Sequence, residues 1–352
     1  MKSAALKSGN LYVRDDVEEP KPESGQVLVE VCACGICGSD LHFAKHGATM
    51  MAVGSEMKGM GPMSELASPT VDLSKDVFMG HEFSARVLEA GPDTQTFKEG
   101  TVVTSIPILL GGPTGFAPIV YSNTVMGGYA ERMLLSAMML VEVPNGLDPK
   151  LAALTEPMAV GLHGVNRSGI TPGMGALVLG CGPVGLAIVA ALKVKGIDTI
   201  VAADFSPARR QLALTMGAHE AVDPNEEASF EAWNRVGGSK SLVVFEAIGV
   251  PGIINDVMKW APPRTKVTVV GVCMENDTIT PFFGIGKELD ISFCLGYDPM
   301  EFNGSLRSIA EGEIDVRPMI TSEVGIDGVP GAFEALGNPE KECKILVVPS
   351  AG

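Results

Sequence analysis

From residue 176 onward, short apolar runs alternate with stretches of helical periodicity. This alternation is typical of a parallel sheet whose strands are joined by crossover helices. Strands are predicted at residues 176–180, 199–204, 220–222, 241–246, 266–271 and 290–295. Helices are predicted to begin at Pro183, Ser206, Glu227 and Gly252. Six strands with interleaved helices predict one doubly wound α/β domain.

The first 155 residues have a different pattern. Short apolar runs at 26–32, 83–90 and 101–106 are separated by turns rich in Gly, Pro and Asn, which predicts a β-rich, barrel-like domain. The tail after residue 296 is short for a third domain and contains a predicted helix and a predicted strand. We therefore expect one domain formed by 1–155 and completed by 296–352, and a second formed by 156–295.

Composition narrows the classes of function. The chain has 352 residues, 46% of them apolar, which is enough for two buried cores. Its formal charge of −16 disfavours nucleic acids and anionic lipid surfaces as partners. We expect no signal peptide, because the first residues, MKSAALKSGNLYV, lack an apolar h-region of sufficient length. We expect no membrane span, because the longest apolar stretch, 176–194, is interrupted by glycines and a proline. Seven cysteines, three of them at positions 32, 34 and 37, suit a reducing compartment, so a cytoplasmic location is expected.

A glycine-rich motif follows the first predicted strand of the α/β domain. Residues 180–185 read GCGPVG, the G-x-G-x-x-G spacing, and lead directly into a predicted helix. Gly180 allows a tight turn, Gly182 lets the backbone approach a pyrophosphate, and Gly185 permits close packing of helix on strand. The phosphates would lie at the helix N-terminus. This context predicts a dinucleotide site.

Asp204, at the end of the next predicted strand, indicates which dinucleotide binds. A carboxylate there can accept both ribose hydroxyls and repels a 2′-phosphate, so NAD is favoured over NADP. Arg209 and Arg210 could instead bind phosphate, although arginines on such a helix are more often surface charges. The other candidate cofactor-binding residues are Pro183, Val184, Arg209, Gly249, Gly271 and Val272.

Three short segments carry candidate chemistry. Residues 35–42 read GICGSDLH, residues 80–82 read GHE, and residues 154–157 read LTEP. Taken singly, each residue also has an ordinary structural role: Cys37 as a small core residue, His81 as a satisfied imidazole, and Glu156 as a carboxylate at a helix N-terminus.

Together with the glycine motif, these segments resemble the medium-chain zinc-dependent alcohol dehydrogenase family over nearly the whole chain, including IDVRPMIT at 314–321. The resemblance implies a GroES-like β-rich catalytic domain and a Rossmann domain. It implies that Cys37, His81 and Glu156 bind one catalytic zinc and leave the fourth position to water or substrate. A glutamate as third ligand is similar to the sorbitol and butanediol dehydrogenase branch.

The resemblance also assigns roles to neighbouring residues. Glu82 is expected to approach the metal when a ligand exchanges, and Asp40 to accept the second N–H of His81 and so fix its tautomer. Ser39 and His42 are expected to relay the alcohol proton to water. The implied reaction is reversible hydride transfer between a secondary alcohol or diol and NAD, with a ketone as the other substrate.

The sequence departs from the family in two places. Residues 101–128, where many relatives carry a structural zinc, contain no cysteine, so no structural zinc is expected. A long interval between Cys37 and His81 contains five methionines at positions 50–63, in a predicted loop that could be packing, a lid or an interface. Phe43, where sorbitol-type enzymes tend to have tyrosine, favours a less polar secondary alcohol.

Three alternatives remain open at this point. One is a polyol dehydrogenase of the sorbitol type, and a second is a zinc-free quinone or ketone reductase using NAD(P)H. The third is a nucleotide-binding protein without turnover. For all of them we expect a homodimer or homotetramer formed by pairing sheet edges near residues 290–295.

Overall fold

The computed structural model describes residues 1–57, 71–111 and 115–351. The chain divides into two compact units. The first contains Met1–Glu156, Ile320–Asn338 and Lys344–Gly352, and the second contains Pro157–Met319 and Pro339–Cys343.

The first unit is mainly β structure. Its strands are β1 (Ser3–Lys7), β2 (Asn10–Arg14), β3 (Gln26–Gly35), β4 (Phe78–Met79), β5 (Glu82–Ala90), β6 (Val102–Ser105), β7 (Ile108–Leu110), β8 (Phe116–Pro118), β9 (Tyr121–Ser122), β10 (Arg132–Ser136), β11 (Leu140–Glu142), β18 (Ile320–Val324) and β19 (Lys344–Val347). Its helices are α1 (Gly38–Glu56), α2 (Pro149–Ala152), the first residues of α3 (Thr155–Ser168), and α10 (Val329–Ala335). Short 3-10 turns lie at Ala137–Met139, Ile326–Gly328 and Pro349–Ala351.

The central strand of this unit is β3. The main sheet runs in the order β11-β6-β5-β3-β19-β18, and β10 also pairs with β3. β5 lies antiparallel to β3, and β19, from the C-terminal end of the chain, pairs antiparallel with the last residues of β3. Alternate residues of these strands, such as Val27, Val29 and Val31, are buried in one apolar core, as expected for strands with one buried face.

The second unit is a doubly wound α/β domain, as the sequence predicts. Its strands are β12 (Gly175–Leu179), β13 (Ile200–Ala203), β14 (Glu220–Val222), β15 (Leu242–Glu246), β16 (Lys266–Val269) and β17 (Asp290–Phe293). Its helices are the remainder of α3, α4 (Pro183–Val194), α5 (Pro207–Met216), α6 (Ser229–Val236), α7 (Ile253–Trp260), α8 (Pro281–Lys287) and α9 (Pro299–Ala310), with a 3-10 turn at Arg317–Met319.

All six strands of this sheet are parallel, in the order β14-β13-β12-β15-β16-β17. The order reverses next to β12, so the loop after β12 lies at the point where such sheets bind nucleotides. Every residue of β12 and of β15 is buried, as expected for central parallel strands covered on both faces. Among the described helices, none combines the length and the apolarity that crossing a bilayer requires.

The expected completion of the first domain by residues 296–352 is wrong for residues 296–319 and 339–343. They belong to the second unit, and the chain re-enters the first unit at Ile320. The physical reason is a contact that α9 makes with α3. Its Glu301 carboxylate lies 2.7 Å from His163 Nδ1 and accepts a hydrogen bond of 2.9 Å from Asn166, so α9 is fixed to α3.

The methionine-rich segment is also different from the predicted loop. Met50 and Met51 lie on helix α1, and Met50 packs against the core of the first unit. Residues 58–70, which include Met60 and Met63, lie outside the described part of the chain. Phe43 is 1% exposed and stacks on Tyr121 with ring centroids 3.9 Å apart. Its apolar side chain therefore serves core packing and does not report on the substrate.

We expect Gly185→Ala to destabilise the second unit. A Cβ at position 185 would lie 1.9 Å from the carbonyl oxygen of Gly180, and the backbone would have to move. The expected loss is about 1–3 kcal/mol of unfolding free energy, typical of overpacking, measured by urea denaturation.

Gly182→Ala is the matched control, since no atom lies within 4 Å of its Cβ position. Its loss should stay below about 1 kcal/mol, the scale of an N-cap change. Equal destabilisation by both substitutions would contradict the assigned packing.

Candidate metal and dinucleotide sites

The three segments with candidate chemistry are brought together by the pairing of β3 with β5. Gly35, the last residue of β3, lies opposite Glu82, the first residue of β5. Cys37 lies two residues after the end of β3, as the N-cap of α1, and His81 directly precedes β5. Residues 44 positions apart in the sequence therefore meet at one end of the sheet.

Cys37, His81 and Glu82 form a group that could hold a metal ion. One ligand atom from each lies within 4.8 Å of the others, and this is the group of three that the described residues provide. His81 and Glu82 are buried, whereas Cys37 is half-buried. The half-buried thiol leaves one side of the group accessible.

Asp40 lies opposite His81, but the predicted hydrogen bond between the two side chains is not formed. Asp40 Oδ1 lies 3.6 Å from His81 Nδ1, and neither atom has a hydrogen-bond partner among the described residues. The other oxygen of Asp40 accepts hydrogen bonds from the Tyr129 hydroxyl at 2.6 Å and from the Cys37 amide at 3.3 Å. Asp40 is therefore held in place and directs Nδ1 of His81 towards itself, which leaves Nε2 for a ligand.

Burial and neighbouring charge set the protonation of this pair. Burial lowers the pKa of His81, but the charges of Asp40 and Cys37 outweigh it and raise this pKa well above its usual range. Burial raises the pKa of the Asp40 carboxyl, and the imidazole and the Tyr129 hydroxyl partly offset the rise. In the metal-free protein the imidazolium form of His81 is thus favoured.

Glu156, predicted as the third ligand, is not a member of the group within 4.8 Å. It lies half-buried in the first turn of α3, and its charge contributes to the raised pKa of His81. Two carboxylates, Glu82 and Glu156, are therefore candidates for the third position.

Lys344 of β19 binds the first of these carboxylates. Its Nζ lies 2.8 Å and 2.7 Å from the two oxygens of Glu82 and donates to the carbonyl oxygen of Ile36 at 2.9 Å. Both side chains are almost completely buried.

The two predicted relay residues lie on α1, three positions apart and so on one face of the helix. Ser39 is half-buried and His42 is exposed, with the ring of His46 at 5.7 Å between centroids. This arrangement leads from the buried group towards solvent.

The glycine motif forms the turn between β12 and α4. Gly180 adopts φ +89°, and α4 begins with Pro183 at its first position. Gly182, Pro183 and Val184 are only half-buried, so the helix N-terminus is accessible to a phosphate.

Asp204 is oriented by the glycine loop itself. Its carboxylate accepts hydrogen bonds from the amides of Cys181 at 2.8 Å and Ser206 at 2.9 Å. A carboxylate offers about four acceptor positions, so capacity remains for ribose hydroxyls. Arg210 was expected to be an exposed surface residue. Instead its guanidinium donates hydrogen bonds to the Asp204 carbonyl oxygen and, at 3.0 Å, to the Asp223 carboxylate. The Nε of Arg209 is buried and has no partner among the described residues.

The predicted residues at the ends of β15 and β16 lie in contact. The backbone of Gly249 packs against that of Gly271 and Val272, and Val272 is half exposed. The buried carboxylate of Glu246 orders this turn by accepting from the amides of Ile248 at 2.7 Å and Gly249 at 2.8 Å.

Comparison with known proteins identifies the family. Residues 23–145 match the alcohol dehydrogenase GroES-like domain, and residues 183–311 match the zinc-binding dehydrogenase domain. The chain is 31% identical over 349 residues to (R,R)-butanediol dehydrogenase of Bacillus subtilis (strain 168), with 96% of each chain covered. It belongs to the medium-chain zinc-dependent alcohol dehydrogenase family. The family and the class of enzyme predicted from the sequence are thereby confirmed.

Two further relatives of this dehydrogenase bear on its chemistry. Sorbitol dehydrogenase of Bacillus subtilis (strain 168) is 26% identical over 365 residues, covering 99% of this chain and 98% of the relative. A solved structure from Sinorhizobium meliloti 1021, described as a zinc-binding dehydrogenase bound to NADP, has a TM-score of 0.82 and 29% identity over 99% of both chains.

The residues of this dehydrogenase fit a catalytic zinc. The donor set of thiolate, imidazole and carboxylate is one that zinc prefers. The partnerless Nδ1 of His81 lies 3.6 Å from the partnerless oxygen of Asp40, slightly longer than the hydrogen bond by which a carboxylate orients a ligating histidine.

Sequence reasoning missed three residues that order these sites. Lys344, Tyr129 and Glu246 are each buried and each holds a residue or turn of a site. Lys344 could have been identified from the sequence, since it is the only charged residue in the apolar run 343–348. No sequence feature distinguishes Tyr129 from an ordinary aromatic residue of the core.

We expect zinc binding to release a proton from His81. Because the pKa of His81 is raised above its ordinary value of 6.5, zinc must displace this proton, and zinc affinity should rise with pH through the folded-state pKa. In the metal-free protein the stabilisation from charged His81 is complete below 6.5 and is lost as the pH rises through the folded-state pKa.

Asp40→Asn removes the charge that favours the imidazolium. Calorimetry of zinc binding at pH 7 in buffers of different ionisation heat should detect fewer protons released by this variant than by the wild type. Equal proton release would show that Asp40 does not control His81.

Proposed function

We propose that this dehydrogenase transfers a hydride reversibly between a secondary alcohol or diol and NAD, with a ketone as the oxidised substrate. The observation that carries the proposal is the meeting of Cys37, His81 and Glu82 at one end of the β3–β5 pair, with the charge of Glu156 near enough to help raise the pKa of His81. The names of two relatives, butanediol and sorbitol dehydrogenase, agree with a diol or polyol substrate. A sorbitol-type polyol is therefore the second candidate substrate.

In this proposal Cys37, His81 and Glu156 hold the zinc. Held there, the zinc would supply Lewis-acid polarisation of the substrate oxygen, and a dinucleotide held by the glycine loop would supply the hydride acceptor or donor. Asp40, fixed by Tyr129, keeps the imidazole of His81 in one orientation. Ser39 and His42 carry the hydroxyl proton from the site along one face of α1 to solvent.

For the cofactor we propose NAD. The Asp204 carboxylate is oriented towards the glycine loop, where it can accept the ribose hydroxyls and repel a 2′-phosphate. Arg210 is committed to Asp223 and to backbone carbonyls, which weakens it as a phosphate ligand. Two observations favour NADP instead: a relative of similar structure binds NADP, and the Nε of Arg209 has no hydrogen-bond partner among the described residues. Turnover rates measured with NAD and with NADP decide between the two cofactors.

We further propose that the enzyme works in the cytoplasm and carries a single zinc per chain, the catalytic one. The seven cysteines form no disulfide with one another, which suits a reducing compartment. The segment 101–128 lacks the cysteines that a structural zinc in that lobe would require.

We also propose a homodimer formed through β17, which could pair further into a tetramer. β17 is an edge strand, and Phe293 and Leu295 beside it are 66% and 52% exposed. Phe282 and Ile285 of α8 are also exposed. A second copy related by twofold symmetry would cover the open edge and this apolar surface.

Replacing Glu156 with alanine tests the proposed function. The turnover number with butanediol should fall about 10³-fold, since several kcal/mol of stabilisation by the metal site would be lost. NAD binding, measured by fluorescence or calorimetry, should be unchanged. A panel of butanediol, sorbitol and cyclic secondary alcohols, each with NAD and NADP, then ranks the substrates and cofactors.

Glu89→Ala, an exposed glutamate of β5, is the control and should retain wild-type turnover. Full activity of Glu156→Ala would remove this residue from the zinc ligands. If Glu156→Ala and Cys37→Ala are both fully active, the zinc-dependent mechanism is contradicted and the zinc-free reductase is favoured.

The dimer is tested by Phe293→Lys, which places a lysine on the β17 edge and should block edge pairing. Light scattering after size exclusion should give the mass of one 36.8 kDa chain for this variant and a multiple of it for the wild type. Met138→Lys, at a 78% exposed position of the other unit, should behave as the wild type. An unchanged mass for Phe293→Lys would place the interface elsewhere.

A further inference from the structure

We propose that Tyr121 is a positioning residue whose buried hydroxyl donates a hydrogen bond to the Ser39 hydroxyl and so holds Ser39 in place for transfer of the substrate proton. The inference rests on the proton path of the proposed function, in which Ser39 is the first member. It concerns a tyrosine that belongs to none of the segments with candidate chemistry. Both residues lie in the first unit.

Backbone pairing brings Tyr121 to the candidate metal site. Tyr121 begins β9, and its register partner in the antiparallel strand β4 is Met79. Met79 lies two residues before His81. The short β4–β9 pair therefore places the tyrosine beside the segment that carries this candidate ligand.

Ring stacking then restricts where the hydroxyl can lie. The Tyr121 ring stacks on the ring of Phe43, with centroids 3.9 Å apart and an angle of 11° between the planes. Phe43 lies four positions after Ser39 on α1, so the two residues share one face of that helix. Phe43 and Tyr121 are both buried, which fixes the ring on the helix face that carries Ser39.

The hydroxyl of Tyr121 is buried and completes no hydrogen bond with the described part of the chain. Its surroundings are evident from its pKa. Burial raises this pKa well above its usual range, the charge of Asp40 raises it further, and a contact with the Ser39 hydroxyl opposes the rise. Tyr121 therefore keeps its proton, and its oxygen lies close to Ser39.

The other groups around this hydroxyl are turned elsewhere. One oxygen of Asp40 accepts the hydrogen bond from the Tyr129 hydroxyl at 2.6 Å, and the second lies 3.6 Å from Nδ1 of His81. Ser39 is thus the neighbour that remains for Tyr121. A buried hydroxyl without a partner is costly, so a hydrogen bond to Ser39 is favoured.

This hydrogen bond leaves Ser39 equipped for proton transfer. A serine hydroxyl donates one hydrogen bond and accepts two. The phenolic hydroxyl is the more acidic of the pair and acts as the donor, so it uses one acceptor position of Ser39. The second acceptor position is left for the substrate hydroxyl. Ser39 takes up the substrate proton as it passes its own proton on towards His42, and Tyr121 keeps its proton throughout.

Tyr121→Phe tests the inference, because it keeps the stacked ring and removes only the hydroxyl. The zinc-loaded enzyme is mixed with NAD and butanediol, and the rate of the first turnover is followed by stopped flow. This rate should fall about 3–10-fold, the effect of one hydrogen bond. The ratio of the rates in H₂O and D₂O should rise, since proton transfer then limits the step more strongly. Zinc content and NAD affinity should be unchanged.

Stability separates this role from a structural one. Because the Tyr121 hydroxyl completes no hydrogen bond in the structure, Tyr121→Phe should unfold at the same urea concentration as the wild type or at a higher one. Tyr129→Phe, which loses the bond to Asp40, should unfold at a lower concentration. A lower midpoint or a failure to fold for Tyr121→Phe would show a structural hydroxyl and overturn the inference.

Tyr12→Phe is the matched control for the rate. It removes the hydroxyl of a half-buried tyrosine in β2 that donates to Asp76, outside the proposed site. Its first-turnover rate and solvent isotope effect should equal those of the wild type.

A double-mutant cycle with Ser39→Ala separates this inference from the proposed function. Ser39→Ala should slow the first turnover, and adding Tyr121→Phe should have no further effect, because the tyrosine acts through Ser39. Additive losses would overturn the inference, as would a wild-type rate in Tyr121→Phe while Ser39→Ala is slow. A wild-type rate in Ser39→Ala would instead contradict the proton path of the proposed function, and the inference with it.

Discussion

Buried charge is the constraint on which the first unit depends. Asp40, His81, Glu82 and Lys344 are all buried at one end of the β3–β5 pair. Moving ionised groups from water into a protein core is expensive unless each finds a partner of opposite charge or a metal. Lys344 meets this requirement for Glu82, and Tyr129 with the Cys37 amide meets part of it for Asp40. The atoms that remain without a partner, Nδ1 of His81 and Oδ1 of Asp40, lie opposite one another beside the candidate metal ligands.

The topology explains why both ends of the chain are needed for this site. β3 and β5 come from the N-terminal part and bring Cys37 next to His81, whereas β19 adds Lys344 from the last residues of the chain. In the second unit, too, hydrogen bonds hold a carboxylate in place, here that of Asp204. The Asp204 carboxylate accepts hydrogen bonds from the amide of Cys181 in the glycine loop and from the amide of Ser206, so the loop and this candidate ribose-binding group are ordered together.

Much of the α/β unit could be predicted from its sequence, because buried parallel strands are short apolar runs bounded by turn residues. The strand at 220–222 was predicted to the residue, and the helix beginning at Pro183 follows from the glycine motif. α8 was missed, since its seven residues include two glycines and two exposed apolar side chains and have no helical pattern. The boundary at 296 was wrong because the contact of Glu301 with His163 joins residues far apart in the sequence.

The candidate site was predicted in its residue types and not in its contacts. Motif resemblance selected Cys37, His81 and Glu156, but no sequence pattern indicates that Glu82 lies closer to the first two than Glu156 does. Nor does one indicate that a lysine from β19 neutralises Glu82. Such long-range pairs depend on the register of three strands, which becomes visible only in the folded chain.

The measurement that tests the account most directly is zinc-edge X-ray absorption, together with elemental analysis, on protein purified without chelators. The account predicts about one zinc per chain with a single sulfur neighbour at about 2.3 Å and the remaining ligands nitrogen or oxygen, the sulfur being lost in Cys37→Ser. A protein that contains no zinc, or a zinc without a sulfur neighbour, would contradict the central claim that Cys37 and His81 form a catalytic metal site.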